Sequence, residues 1–318
     1  FDITDFQAKE FLTAAGNPNG RPNSDVLVPY VNGLDVTRRN RHVWIIDFGQ
    51  GKDLAEASMY VKPFEHLALK VKPERQKANQ EKARELWWLH WNPRPDMNAA
   101  LEKVSRFIAT PRVSKYRLFV WLEAPNYPDC QLIVFAKADD YSFGVLHSRV
   151  HEVWALAQGT QLREKESGFR YTPTTCFETF PFPEPTLEQR EAIAAAAVEL
   201  DRLRSNWLNP PEWTRVETLR FPGTTDGPWA RYVRDADERG VGTVHYPRLV
   251  ARDEASAAEL ARRTLTNLYN QRPTWLDLAH RKLDEAVAAA YGWDASLTDA
   301  DILARLLEQN LQRQPAGT

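Results

Sequence analysis

LNPPEW, Leu208 to Trp213, has two readings, and the fold turns on the choice between them. In one, Asn209-Pro210-Pro211 stops a helix. In the other, it leaves a buried strand at the edge of a cofactor site in a wound sheet. The residues upstream decide. Thr186 and Gln189 form a capping box, with the side chain of each able to take the other's backbone N–H. From there Ile193, Ala197, Leu200, Leu203 and Trp207 recur at spacings of 4, 3, 3 and 4, which lays one apolar face along a helix from Thr186 to about Trp207. A residue before proline is pushed out of helical geometry, so Asn209-Pro210-Pro211 is the stop. The chain around it is helical.

The catalytic version fails on its own terms. Amino-methylating DNA methyltransferases follow Asn-Pro-Pro directly with an aromatic ring that stacks on the flipped base. Glu212 stands in that place here, with Trp213 one position late. A second fragment, WIIDFGQGKDL (Trp44 to Leu54), has a strand and a Gly-x-Gly turn like the methionine-side loop of an S-adenosylmethionine site. The order Phe48-Gly49-Gln50-Gly51 is wrong for it, and no second strand ending in an acid follows, so it reads as a strand-ending turn. Asp47-Phe48-Gly49 has no companion kinase motif. Pro128-Asp129 with Lys137 lacks the second carboxylate of a nuclease, since Phe135 stands where it belongs. His147 and His151 are four apart without an obvious third zinc ligand, and they read as hydrogen-bonding residues. Cys176 has no triad pattern around it.

Outward from the stop, Val26–Tyr30 and His42–Phe48 read as short strands, and Pro63 to about Leu86 as a charged helix kinked at Pro73. Trp87 and Trp88 read as a strand start, with one ring buried and one covering an edge. A short helix near Met97–Val104 precedes three strand-like runs, Arg106–Thr110, Arg117–Ala124 and Gln131–Ala138. An apolar helix then runs from Tyr141 to about Gln158, followed by a long loop from Gly159 to Pro185. Beyond Leu208 come irregular segments rich in Trp and Pro, then helices near Ser256–Leu268, Pro273–Tyr291 and Thr298–Leu311. The fold class is a mixed α/β recognition domain over 1–185, followed by a mostly α-helical region over 186–318.

With 43% apolar and 26% charged residues the chain can bury a full core, and it has no run of eighteen apolar residues to span a membrane. Two cysteines fit a reducing cytoplasm. The chain begins at Phe1 and its only methionines are Met59 and Met97, as a piece of a longer polypeptide would. The net charge is −2, yet residues 30–117 carry 17 Lys and Arg against 10 Asp and Glu. Such a basic third suits a polyanion. Within it Arg75, Lys77, Lys82, Arg84 and Lys115 are candidates for phosphate contacts. Arg117, Arg163, Glu164, Lys165 and Arg170 are candidates for base contacts, because reading bases uses Arg on guanine and a carboxylate on cytosine. A solvated surface loop is the plain alternative for Arg163 to Arg170.

NRHVWIIDFG, PERQKANQEKARELWWLHWNPRPDM, RFIATPRVSKYRLFVWL, DDYSFGVLHSRVHEVWAL and RYTPTTCFETFPFP occur here in that order. The series resembles one group of large bacterial DNA adenine methyltransferases, which includes MmeI-like fused restriction–modification enzymes and methylases of phage-defence islands. The resemblance covers about Val26 to Pro183 and continues into LDRLRSNWLNPPEW. It falls on the target recognition domain, not on the catalytic domain, which lies upstream in that family. It implies a module for duplex DNA that lacks catalytic residues and metal. It also implies an upstream methyltransferase domain of the same chain that holds S-adenosylmethionine, with a nuclease fused in some members. It places base choice on the loop before FETFPFP, here Arg163 to Arg170. The rival expectation is a scaffold that docks the methyltransferase domain or another defence protein.

Overall fold

The computed structural model describes residues 1–161 and 168–313. Its centre is an antiparallel sheet of Val120–Glu123, Arg106–Pro111 and Leu132–Phe135, in that order. Helices Asp140–His147 and Arg149–Gln158 cover it, and the helix Leu187–Leu208 packs on the first of them. That last helix has the predicted ends: Thr186 and Gln189 close the capping box, and Asn209 is the C-cap. Ile193, Ala197 and Leu200 are buried, with Leu203 and Trp207 packed against the same core. Gly144 permits the approach, since a Cβ there would lie 2.8 Å from Ile193 Cγ2. Thr274–Ala290 and Asp299–Arg313 complete this core.

A second core joins the N-terminal segments to a long hairpin. Leu27–Val31 and Trp44–Ile46 pair antiparallel, with Asp2–Ile3 on one edge and Tyr127–Pro128 on the other. Thr214–Thr224 and Val241–Ala251 pair over their whole length, in the stretch expected to be irregular. Leu219, Phe221 and Val244 point inward, and Trp229, fully buried, donates from Nε1 to the Leu27 carbonyl at 2.9 Å. Both cores therefore draw on residues from each side of position 185.

Three expectations differ in detail. The charged stretch 63–86 is three short helices, Val61–Lys70, Lys72–Gln76 and Glu81–Glu85, with Pro73 in the first turn of the second. Trp87 and Trp88 start no strand; they follow the third helix and are both buried. The helix from Tyr141 breaks at Ser148, whose extended backbone and side-chain cap start a new helix. His147 and His151 thus sit on different helices. Arg204 donates to His147 Nε2 at 3.0 Å, while His151 meets the Leu146 carbonyl at 2.8 Å and Tyr171 Oη at 3.1 Å. Among the described residues no group of three or more His, Cys, Asp or Glu could hold a metal ion, and no helix is long and apolar enough to cross a membrane.

Candidate nucleic-acid interface

Two of the segments singled out in the sequence meet in one small sheet. Phe169–Arg170 lies between Val113–Ser114 and Thr160–Gln161, antiparallel to both. This platform brackets residues 162–167, so Arg163, Glu164 and Lys165 lie outside the described residues. Arg170 is exposed on it. Two glycines let the strands close up. Gly168 has φ of +85°, and a Cβ there would stand 2.4 Å from the Ser114 carbonyl oxygen; one on Gly159 would strike the Phe169 ring at 1.9 Å. Only glycine fits both demands at 168.

Arg117 sits under the platform, not on it. It is buried, donates from Nη1 to Thr110 Oγ1 at 3.0 Å and to the Pro111 carbonyl at 2.6 Å, and from Nη2 to the Phe169 carbonyl at 3.2 Å. Its guanidinium lies 5.2 Å from the ring centres of both Phe169 and Tyr171. Burial lowers its pKa to about 10, which still leaves it charged at neutral pH. The expected base contact is corrected for this residue: its donors are directed into the fold, where they tie the central sheet to the platform. Lys115 is exposed beside it, its Nζ 2.8 Å from Asn270 Oδ1, which Tyr116 Oη also reaches at 2.9 Å. Asn270 comes from the helix Leu265–Gln271 of the C-terminal region, and nothing in its sequence setting marked it.

The remaining basic candidates are elsewhere, on or beside the second and third of the short helices, Lys72–Gln76 and Glu81–Glu85. Lys77 and Lys82 are exposed, and Lys77 pairs with Glu74 at 2.7 Å, both side chains in water. Such a pair contributes little and leaves the lysine able to rearrange. Arg75 lies over the Phe1 ring at 5.4 Å, and burial lowers its pKa. Arg84 closes the preceding turn by donating to the Ala78 and Asn79 carbonyls at 2.7 and 3.2 Å. The structure therefore gathers Lys115, Arg117 and Arg170 in one place and Arg75, Lys77, Lys82 and Arg84 in another.

The catalytic lookalikes have structural partners. Asn209 Oδ1 accepts from Arg39 Nη2 at 3.0 Å, and the Pro211 carbonyl accepts from Arg252 at 3.0 Å. The Gly49 N–H closes on Asp47 Oδ1 at 2.8 Å, and the next element is the helix Leu54–Ser58. These residues do not fit S-adenosylmethionine, because the turn's amide is engaged and no second strand brings an acid. A cleft of about 1220 Å³ is lined by both acids and bases, among them Arg21, Asp25, Asp47 and Lys52, and shares no lining residue with the platform.

Comparison with known proteins gives the family and the fold. A family model described as "MmeI, target recognition domain" matches residues 22–184. DNA methyltransferase A of Bacillus subtilis (strain 168) is 33% identical over 73 residues, which is 23% of this chain and 8% of that protein. The solved structure of the type IIL restriction–modification enzyme MmeI in complex with DNA superposes with a TM-score of 0.65 at 20% identity, covering 98% of this chain. The chain spans about a third of that structure's length, 33%.

Proposed function

The chain belongs to the family of MmeI target recognition domains, and on that footing we propose that it reads duplex DNA for a larger methyltransferase. The parent enzyme, in this reading, is an S-adenosylmethionine-dependent, N6-adenine-specific DNA methyltransferase of restriction–modification or phage defence, working in the cytoplasm. Its cofactor and catalytic residues belong to an upstream domain of the same polypeptide, and a nuclease is fused to it in some members of the family. The present chain holds the duplex so that this domain can flip and methylate an adenine.

The observation that carries the proposal is the platform. It sets Arg170 on a strand paired with Val113–Ser114, directly before Lys115 in the chain, and its strands Thr160–Gln161 and Phe169–Arg170 flank residues 162–167 in sequence. In this reading Arg163, Glu164, Lys165 and Arg170 meet base edges in the major groove, where Arg pairs with guanine and Glu with cytosine. Lys115 meets a phosphate beside them, while Arg75, Lys77, Lys82 and Arg84 supply a sequence-independent anchor. Arg117 positions the platform and touches no base. The division at 185/186 then separates reading residues from a helical region that braces them.

One feature favours docking as well. Val216 and Leu249 face each other across the long hairpin and are 63% and 48% exposed. That apolar pair suits contact with the methyltransferase domain. The test is a fluorescence titration of the chain with random duplex DNA at two salt concentrations, with S-adenosylmethionine binding measured by calorimetry. Salt-sensitive DNA binding without cofactor binding is expected. Cofactor binding would return LNPPEW to a catalytic role, and binding of neither would leave docking as the function.

A further inference from the structure

Around the turn after the helix Leu187–Leu208, the fold collects five arginines from three separated stretches of sequence. Arg39 enters from the N-terminal part and donates to the Leu208 carbonyl at 2.8 Å and to Asn209 Oδ1 at 3.0 Å. Arg38 is its exposed neighbour. Arg252 donates to the Pro211 carbonyl at 3.0 Å. Arg263 lies between two tryptophans, 4.6 Å from the Trp207 ring centre and 5.0 Å from that of Trp213, and Arg262 is exposed beside it. Arg39, Arg252 and Arg263 bond to carbonyl or amide oxygens, which orient a guanidinium but do not neutralise it. None of the five takes part in an ion pair among the described residues, in contrast to Arg41, which is held by Asp35 at 2.9 Å. The acids nearest in sequence are Glu212, Glu254 and Glu259, all exposed and none ion-paired to the five among the described residues, and Asp253, whose carboxylate caps the next helix by accepting from Ser256 N at 2.7 Å.

This cluster is linked to the platform by one element. The helix Leu265–Gln271 starts just after Arg262 and Arg263, where Thr266 Oγ1 donates to the Thr37 carbonyl at 3.1 Å. It ends at Asn270, which holds Lys115 and Tyr116. Seven residues of helix span roughly 10 Å. That is the scale of a few nucleotides along one strand.

We infer that the arginines around Leu208–Trp213 are a second contact for the phosphodiester backbone of duplex DNA, laid along the same strand path as the platform. This rests on the proposed function and extends it: the C-terminal region contacts the polyanion itself and does not only brace the reading residues. Arg38 and Arg262 supply mobile charge to phosphates, and Arg39, Arg252 and Arg263 provide fixed positive charge beneath them.

The test uses the whole chain and a double substitution at the two exposed positions whose side chains hold no carbonyl, Arg38→Ala with Arg262→Ala, which leaves the carbonyl-bonded arginines in place. Losing two phosphate contacts should weaken binding to random duplex about tenfold at moderate salt and reduce the salt slope by about 2. The thermal midpoint should stay at the parent value, and the Arg38→Lys, Arg262→Lys version should restore most of the affinity. Parent-like affinity and slope in a folded double variant would overturn the inference while leaving the platform reading intact. Unchanged DNA affinity with lost affinity for an acidic polypeptide such as polyglutamate would also overturn it, and would assign the patch to an acidic protein surface. If the parent chain itself bound no duplex at low salt, both readings would fall together.

Discussion

Arg39 donates to the side-chain oxygen of Asn209 at 3.0 Å, and this pairing gives LNPPEW a structural role. The Asn of a methyl-transfer motif must be free to hold a base amino group. Here it is the C-cap of a 22-residue helix and is bonded to an arginine from 170 residues earlier in the chain. The same guanidinium holds the Leu208 carbonyl, so the turn docks the C-terminal region onto the N-terminal segments.

Arg39→Met should therefore destabilise the fold. It leaves the Leu208 carbonyl and Asn209 Oδ1 without a donor in a partly buried setting, at a cost of about 1–3 kcal/mol. Urea unfolding measures it. An unchanged midpoint would mean that water replaces the arginine freely.

Arg117→Met pits two effects of similar size against each other. Burial lowers the arginine from 12.5 to about 10, so holding the charge inside costs on the order of 3 kcal/mol, which methionine relieves. Against this stand three lost hydrogen bonds and the Pro111 and Phe169 carbonyls left bare. Global stability should change by less than about 2 kcal/mol, since the two effects largely cancel. The platform amides around Ser114 and Phe169 should nevertheless exchange faster with deuterium. Parent-like protection there would remove Arg117 from its positioning role.

Gly168→Ala should disrupt the platform selectively. The left-handed backbone at +85° and the 2.4 Å approach to the Ser114 carbonyl each oppose a Cβ. The two together should cost about 2 kcal/mol or more. Loss of DNA discrimination should exceed loss of stability, as judged by comparing binding to preferred and random duplexes with the unfolding midpoint.

Acid should weaken the fold through its buried histidines. Burial holds His151 at about 4 and His280 at about 3, and pushes His147 well below its usual value with help from Arg204. The unfolded chain takes up these protons near pH 6.5, so the stability from keeping the rings neutral is complete above that and is lost as pH falls towards 4. Asp284, raised to about 6 by burial, acts in the opposite sense: its contribution is present at low pH and lost as pH rises through 6. Glu152, also raised by burial, acts in the same sense as Asp284, and the three buried histidines outweigh these two carboxyls. Stability should drop by on the order of 2–3 kcal/mol between pH 7.5 and 5.5. A midpoint that is equal or higher at pH 5.5 would contradict this.

The helix Leu187–Leu208 and its stop were legible because capping, periodicity and proline chemistry all agreed there. The long hairpin was not. Pro222, Gly223, Gly242 and Pro247 interrupt its strands and read as turns, although Leu219, Phe221, Val244 and Tyr246 keep the alternation of a half-buried sheet. At the proposed interface, the sequence singled out cations without showing the direction of their side chains. Arg117 and Arg170 look alike as cations beside a loop, yet one is 7% exposed and bonded to carbonyls and the other is on the surface. Asn270 carried no local signal, because its role comes from a contact across 155 residues.

The most direct test of the central claim is selection of bound sequences from a random duplex pool by the parent chain and by Arg163→Ala, Arg170→Ala and Lys77→Ala. The parent should enrich one motif. The Arg163 and Arg170 substitutions should relax or change it at particular positions, and Lys77→Ala should keep the motif while binding all duplexes more weakly. An unenriched parent pool, or the same motif from all four proteins, would contradict the assignment of base reading to the platform.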